Sequence, residues 1–141
     1  MIVVDRLAPD FEGTAYFNGK IVKIKLSDYR GKWVLLCFYP GDFTYVCATE
    51  VAGMIRNYEK LQQFGGIGIA ISADSVHSHK VWTETSPAIT SALKEIGKKF
   101  PPFPMVADPT FKIGRKYGVV DEENGIETRG RFIIDPDCLL Y

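Results

Sequence analysis

The segment from residue 32 to residue 61 constrains the fold more than any other part of the chain. Residues 32–39 form an almost continuous apolar run of strand length, Lys-Trp-Val-Leu-Leu-Cys-Phe-Tyr, which is typical of a strand in the centre of a sheet. Pro40, Gly41 and Asp42 end the run, and from residue 51 to residue 61 apolar residues recur at helical spacing. The pattern predicts a central strand, a tight loop and a helix, with Cys47 at or near the start of that helix.

The other segments alternate between strand and helix patterns. Asn18-Gly19 lies between two strand-like runs and predicts a β-hairpin near the N-terminus. The remaining predicted elements are a strand at 67–72, a helix capped by Ser75, a short helix around 92–99, a strand at 105–107, a helix at 110–117 and a last strand at 129–135. This order predicts an α/β domain with a central mixed sheet, flanking helices and an N-terminal hairpin.

Cys47 is the candidate nucleophile. At a helix N-terminus, unpaired backbone N–H groups and the positive end of the helix dipole favour the thiolate over the thiol, and the thiolate is the reactive form. Position alone also allows an inert buried cysteine. The residues at fixed distances before Cys47 distinguish a reactive cysteine from an inert one.

Those residues carry a specific signature. Residues 38–50, Phe-Tyr-Pro-Gly-Asp-Phe-Thr-Tyr-Val-Cys-Ala-Thr-Glu, resemble the active-site segment of the peroxiredoxins, which are thiol-dependent peroxidases with a thioredoxin-like α/β fold. Its core is Pro, three residues, Thr, two residues and Cys, here Pro40, Thr44 and Cys47. By this resemblance Cys47 is the peroxidatic cysteine, the Thr44 hydroxyl contacts the peroxide, and Pro40 shields the thiolate from water.

The resemblance extends over essentially the whole chain, in family order, to the subfamily of the alkyl hydroperoxide reductase subunit and the typical two-cysteine enzymes. The further matching segments are 8–11, 26–33, 72–75, 79–82 and 108–110. The family's arginine matches Arg129, which is expected to bind the peroxide together with Thr44 and the backbone N–H of Val46. Arg131, two residues further on, points the same way along a strand and is the alternative match, which is not expected to be the family's arginine.

Glu50 is predicted to support Arg129. A carboxylate near the start of the helix is placed to pair with the guanidinium and hold its orientation. The alternative is a carboxylate in the first helical turn that interacts with the helix dipole, and both roles are compatible.

The second thiol of the reaction cycle is where the chain departs from the subfamily. Relatives carry a resolving cysteine in a C-terminal tail, whereas this sequence ends at Tyr141, so the usual C-terminal strand, helix and tail are expected to be lacking. Cys138 is a candidate resolving thiol. The alternatives are a truncated sequence and a one-cysteine enzyme that an external thiol reduces. Ala48 replaces the family's usual proline and is expected to loosen the helix start slightly without loss of activity.

Composition excludes several other classes of protein. A chain of 141 residues with 46% hydrophobic content predicts one core and one domain spanning 1–141. Lys and Arg balance Asp and Glu at 17 each, which argues against nucleic-acid and anionic-membrane partners, and no stretch approaches membrane-spanning length. Two histidines and three scattered cysteines form no metal-ligand pattern, so no metal or cofactor is expected, and the absence of a signal-peptide pattern favours a cytoplasmic location.

The leading hypothesis is a peroxidase that reduces hydrogen peroxide and small organic hydroperoxides through a sulfenic acid on Cys47. The resemblance implies an external thiol or disulfide reductant, either thioredoxin-like or a flavoprotein reductase, and a homo-oligomer formed through the loops around Phe43 and Tyr45. The alternative is a catalytically incomplete fragment that acts as a redox sensor or a holdase-like binding protein. A dithiol oxidoreductase of thioredoxin type would require a nearby cysteine pair, which the sequence lacks.

Overall fold

A computed structural model describes residues 2–141 of the protein. The fold is a mixed β-sheet with helices on both faces. The strands are β1 (Glu12–Phe17), β2 (Lys20–Lys25), β3 (Trp33–Phe38), β4 (Gly66–Ser72), β5 (Met105–Ala107), β6 (Val120–Asp121), β7 (Ile126–Glu127) and β8 (Arg131–Ile134). The helices are α1 (Tyr45–Gln63), α2 (Val76–Thr85), α3 (Pro87–Glu95) and α4 (Lys112–Tyr117), with a 3₁₀ turn at Leu26–Tyr29.

Six strands form one sheet in the order β2-β1-β5-β4-β3-β8. The three consecutive strands β5, β4 and β3 are parallel, whereas β1 and β8 run antiparallel to their neighbours. The short strands β6 and β7 pair with each other in a separate ribbon. The predicted central mixed sheet and the central position of the 32–39 strand are therefore confirmed.

Two apolar clusters cover the two faces of this sheet. On one face, Val34, Leu36 and Phe38 of β3 pack with Ile113 and Tyr117 of α4. On the other face, Ala70 and Met105 pack with residues of α1, α2 and α3, among them Val51, Trp82 and Ile89. Cys47 belongs to the second cluster, so the candidate nucleophile is part of the packing between helix and sheet.

The predicted N-terminal hairpin is confirmed. β1 and β2 pair antiparallel, with Phe17 opposite Lys20, and only Asn18 and Gly19 connect them. Both turn residues have positive φ angles, 53° and 79°, which is the conformation that an Asn-Gly turn supplies most readily.

Several element boundaries differ from the prediction, among them the start of α4, which is Lys112 rather than residue 110. The short helix begins at Pro87 rather than near residue 92, because Ser86 and Pro87 supply a helix start and Gly97, at a φ of 70°, stops the chain just beyond its end. α1 begins at Tyr45, so Glu50 lies beyond its first turn. β8 begins at Arg131, so Arg129 lies in the segment before the strand. Between residues 2 and 141, no helix is long and apolar enough to cross a membrane.

Candidate active site

The topology brings three separate segments to one end of β3. Residues 39–44 leave the carboxyl end of β3 and lead into α1. Because β8 runs antiparallel to β3, its first residue Arg131 pairs with Cys37, and the Phe38 N–H donates to the Gly130 carbonyl at 2.9 Å. The segment that carries Arg129 is thereby fixed beside the start of α1.

Cys47 occupies the third position of α1 and is fully buried. The backbone N–H groups of the first helical turn have no partners within the helix, so they present partial positive charge near the thiol. Arg129 adds a full charge, because its Nη2 lies 3.5 Å from the Cys47 Sγ. The sulfur therefore faces a guanidinium and a helix start, both of which carry positive charge.

Glu50 joins two guanidinium groups at this site. Arg129 Nε donates to Glu50 Oε1 at 2.5 Å, and Arg131 Nη2 donates to Glu50 Oε2. Partial burial acts to raise the pKa of Glu50, but the hydrogen bonds from both arginines outweigh it and the net shift is downward. The hydrogen bond with Glu50 in turn raises the pKa of Arg129. The carboxylate is thus held ionised between the two cations.

The expected Glu50–Arg129 pair is present, and Arg131, the alternative match for the family's arginine, binds the same carboxylate. Arg131 holds Glu50 on one side and donates through Nη1 to the Phe38 carbonyl at 3.1 Å on the other. The helix-dipole alternative for Glu50 does not apply, since Glu50 lies beyond the first turn. The spacing of Arg129 and Arg131, two residues apart on an extended segment, was the sequence signal that both point the same way.

Thr44 is the residue that immediately precedes α1. Its side chain does not cap the helix but donates from Oγ1 to the Gly41 carbonyl at 3.1 Å, which leaves the oxygen lone pairs free to accept a hydrogen bond. Pro40 is half-buried in the same loop. A cavity of about 350 Å³ opens beside Thr44 and is lined mainly by apolar side chains, among them Phe43, Trp82 and Ala88.

The two other cysteines lie in different settings. Cys37 is buried within β3, and burial raises its pKa to about 11, with Arg131 opposing the shift to a smaller degree. Cys138 follows β8, whose residue Ile134 pairs with Val34 at the opposite end of β3 from the site. At about 3.3 Å per residue, the strand alone separates the two ends by roughly 13 Å, whereas a disulfide requires Cα atoms within about 7 Å. Cys138 therefore cannot reach Cys47 without a large rearrangement.

One buried carboxyl near the site was not anticipated from the sequence. Glu127 is fully buried in β7, two residues before Arg129, and neither of its oxygens has a hydrogen-bond partner among the described residues. Burial, followed by the negative charge of Asp108, raises the pKa of Glu127 to about 8. A strand of two residues is too short to show an alternation of apolar and polar side chains, so the sequence gave no indication that Glu127 is buried. Residues 2–141 contain no group of three or more histidine, cysteine or acidic side chains arranged to hold a metal ion.

Comparison with known proteins gives a consistent result. The AhpC/TSA family model matches residues 4–141. The selenocysteine-containing peroxiredoxin PrxU of Peptoclostridium acidaminophilum is 45% identical over 140 residues, 99% of this chain and 66% of the relative, and the fission yeast Schizosaccharomyces pombe peroxiredoxin tpx1 is 42% identical over 137 residues, 97% of this chain and 68% of the relative. The crystal structure of Enterococcus faecalis AhpC superposes with a TM-score of 0.87 at 33% identity and covers 99% of this chain and 78% of its own. This chain thus spans about two thirds of the length of those curated relatives.

Proposed function

The chain belongs to the AhpC/TSA family, and we propose that it is a thiol-dependent peroxidase in which Cys47 reduces hydrogen peroxide and small organic hydroperoxides. The observation that carries this proposal is the 3.5 Å approach of the Arg129 guanidinium to the Cys47 Sγ at the start of α1. The family match and the named relatives favour an enzyme over the alternative of an inactive fragment that acts as a sensor or a holdase.

The reaction needs a nucleophile and donors aimed at both peroxide oxygens. The Cys47 thiolate attacks one oxygen in line, the O–O bond breaks, and the other oxygen leaves with the electron pair and takes a proton to become water or an alcohol. Sulfur is oxidised to the sulfenic acid. Negative charge moves from sulfur to the leaving oxygen, so fixed donors that follow the charge lower the barrier.

We assign these donors to residues of one small region. Arg129 supplies a permanently charged planar fork, the Thr44 hydroxyl supplies a hydrogen bond, and the backbone N–H of Val46 is in the unpaired first turn of α1. Glu50 orients Arg129 and is itself held by Arg131. Pro40 shields the thiolate from water. The buried thiol meets peroxide only when the atoms that cover it move.

The apolar cavity beside Thr44 supports organic hydroperoxides as substrates in addition to hydrogen peroxide. Phe43, Trp82 and Ala88 line a space of about 350 Å³, which is large enough for a short alkyl group. The peroxide end would then lie toward Thr44 and the alkyl end between the aromatic side chains.

The second half of the cycle requires a reductant from outside this fold. We propose an external thiol or a disulfide reductant, thioredoxin-like or a flavoprotein reductase, because Cys138 lies at the opposite end of β3. We also propose assembly into a homo-oligomer through the loop that exposes Phe43, Tyr45 and Val46, whose relative exposures of 60%, 84% and 53% are high for apolar side chains. The three free cysteines agree with a reducing compartment such as the cytoplasm.

The test is intact-mass spectrometry of the reduced protein after one equivalent of hydrogen peroxide, with peptide mapping and a sulfenic-acid trapping reagent. A gain of one oxygen or one trap molecule on Cys47 within seconds is expected, and the Cys47→Ser protein is expected to gain neither. A loss of two hydrogens with Cys47 linked to Cys138 or Cys37 would show a resolving thiol within the chain. An unreacted Cys47 would refute the peroxidase proposal.

A further inference from the structure

The loop between β3 and α1 is held in a conformation that its sequence does not favour. Phe43 has a φ of 61°, in the left-handed region that residues with side chains avoid. Phe43 immediately precedes Thr44 and lies four residues before Cys47. A strained residue persists only where its surroundings fix it, so the contacts of its neighbours in the loop are informative.

Asp42 supplies those contacts. Its carboxylate is fully buried and accepts from the Tyr39 hydroxyl at 2.7 Å through Oδ1, while Oδ2 lies 2.7 Å from His79 Nδ1. Its backbone N–H donates to Asp74 Oδ2 at 2.8 Å, and the Ser72 hydroxyl donates to the same Asp74 oxygen at 2.7 Å. The residue before Phe43 is therefore anchored to β3, β4 and α2 at once.

His79 closes the network from α2. Its ring is fully buried, and Nε2 lies 3.1 Å from the Val106 carbonyl oxygen. A carbonyl only accepts, so Nε2 carries a proton. One further proton lies between Nδ1 and the Asp42 carboxylate, and wherever it resides the pair has no net charge. This neutrality explains how two titratable groups remain in the interior, each with its hydrogen bonds satisfied.

The network is independent of the Arg129–Glu50 pair. Asp42 and His79 lie on the side of the loop away from β8, and Tyr39, which bonds Asp42, stacks on Trp82 with ring centroids 5.7 Å apart. The donors for peroxide thus depend on two anchors: one fixes Arg129 and the other fixes the loop that ends at Thr44.

We propose that His79 is a positioning residue for the peroxidase reaction: through its bond to Asp42 it holds the strained loop so that Thr44 is placed for the peroxide beside Cys47. The inference rests on the proposed peroxidase function. His79 touches neither peroxide nor Cys47, and its contribution is geometric. Displacement of a positioning group by about 1 Å can cost as much as 10²-fold in rate.

A matched pair of substitutions separates the two ring nitrogens. His79→Asn retains a donor near the position of Nδ1 and loses the donor to Val106, whereas His79→Gln places its amide near the position of Nε2 and leaves Asp42 Oδ2 without its donor. Both variants carry a neutral amide in the same buried position. Thr83→Ala is the control on α2, because the Thr83 hydroxyl donates only to the carbonyls of His79 and Lys80 within that helix.

Two rate constants of Cys47 are compared, oxidation by hydrogen peroxide and alkylation by iodoacetamide. We expect His79→Gln to slow oxidation about tenfold or more while alkylation changes less than about threefold, since only peroxide uses Thr44. His79→Asn and Thr83→Ala should retain oxidation within about threefold of the unmodified protein. Equal oxidation by the Gln and Asn variants, or a parallel loss of both rates, would overturn the positioning role.

Tyr39→Phe provides a second route if the His79 variants do not fold. It removes only the hydroxyl that donates to Asp42 and keeps the ring that stacks on Trp82. A selective fall in oxidation is expected again, and an unchanged ratio of oxidation to alkylation would contradict the proposal. If the unmodified protein itself fails to oxidise at Cys47, the peroxidase function falls and not the network alone.

Discussion

Cys37 and Cys47 are both buried thiols on consecutive elements, and they are made different by what surrounds the sulfur. Cys37 lies within β3, where burial raises its pKa to about 11. Cys47 lies in the first turn of α1, with the Arg129 guanidinium 3.5 Å from its Sγ. Burial alone disfavours the thiolate of Cys37, whereas positively charged groups are directed at the sulfur of Cys47. Both thiols are buried, so it is the charge around the sulfur, not its exposure, that distinguishes them.

The largest expected effect follows from removing each of the two thiols in turn. Cys47→Ser should abolish rapid peroxide consumption, because among residues 2–141 only the Cys47 sulfur accepts a hydrogen bond from an arginine. Cys37→Ala should retain the rate within about twofold, since burial leaves Cys37 in the unreactive thiol form. Both are measured as loss of hydrogen peroxide under a fixed excess of a small dithiol. Rapid sulfenic acid formation on Cys37 in the Cys47→Ser protein would contradict the contrast.

Removal of the hydrogen-bond donors around Cys47 should lower its rate of oxidation by peroxide, because its sulfur would then be buried without directed donors, as in Cys37. Arg129→Ala is expected to lower the second-order rate of Cys47 oxidation about 10²-fold, and Thr44→Val at least about tenfold. Stopped-flow oxidation with a large excess of peroxide measures both. Arg115→Ala is the matched control, because Arg115 of α4 forms an exposed ion pair with Glu122, which follows β6. Unchanged rates for the first two variants would remove those residues from the site.

A smaller effect is expected at Arg131, which acts on Arg129 only through Glu50. Arg131→Leu should lower the oxidation rate by about three- to tenfold, because Glu50 loses one of two guanidinium partners and orients Arg129 less firmly. Arg131→Lys keeps the charge but not the planar fork that spans Glu50 and the Phe38 carbonyl, so an intermediate rate is expected. A loss as large as that of Arg129→Ala would show that Arg131 itself meets the peroxide.

Two carboxyl groups repeat the contrast between the thiols: Glu50, which binds Arg129, and Glu127, which precedes Arg129 by two residues in the sequence. At Glu50, partial burial is outweighed by the hydrogen bonds from Arg129 and Arg131, and the pKa falls. At Glu127, burial and the nearby charge of Asp108 act in the same direction, and the pKa rises to about 8. The same residue type is thus held charged in one place and neutral in the other.

The smallest effect on peroxide reduction, and a clear effect on stability, is expected for Glu127→Gln. A carboxyl whose pKa is higher in the folded state contributes its full stability below about pH 4.5 and loses it as pH rises to about 8. The variant should therefore gain stability over the unmodified protein as pH rises through this range, by about 1–3 kcal/mol at pH 8. Urea unfolding at pH 5 and pH 8 measures the difference. A gain that is equal at both pH values would show that Glu127 is not neutral in the fold.

Much of the fold could be predicted because its signals are local. The apolar run of β3, the Asn18-Gly19 turn and the cap at Ser75 each specify backbone geometry within a few residues, and each was observed where expected. α3 begins at Pro87, five residues before the predicted start, because Ser86 and Pro87 form the helix start. The two-residue strands β6 and β7 are too short to show any periodicity.

The candidate site likewise contains residues that the local sequence indicates and pairs that form only between distant segments. The strand, loop and helix pattern placed Cys47 at a helix start, and the family resemblance added Thr44, Pro40 and Arg129 as site residues. The sequence did not indicate that Arg131 binds Glu50 or that Asp42 binds His79. These partners are 81 and 37 residues apart, respectively. Such pairs form only when separate elements meet, and local periodicity contains no information on which side chains then face each other.

The sequence by itself determined where the proposed nucleophile Cys47 would lie: at the start of the helix that follows a central strand, three residues after a threonine, in a chain that belongs to the AhpC/TSA family. Tertiary structure decided which charges surround it. The antiparallel course of β8 brought both arginines to Glu50, and the packing of α2 carried His79 to Asp42. The physical reason is that backbone geometry follows from neighbouring residues, whereas the ionisation of a buried group depends on every dipole and charge the whole fold places around it.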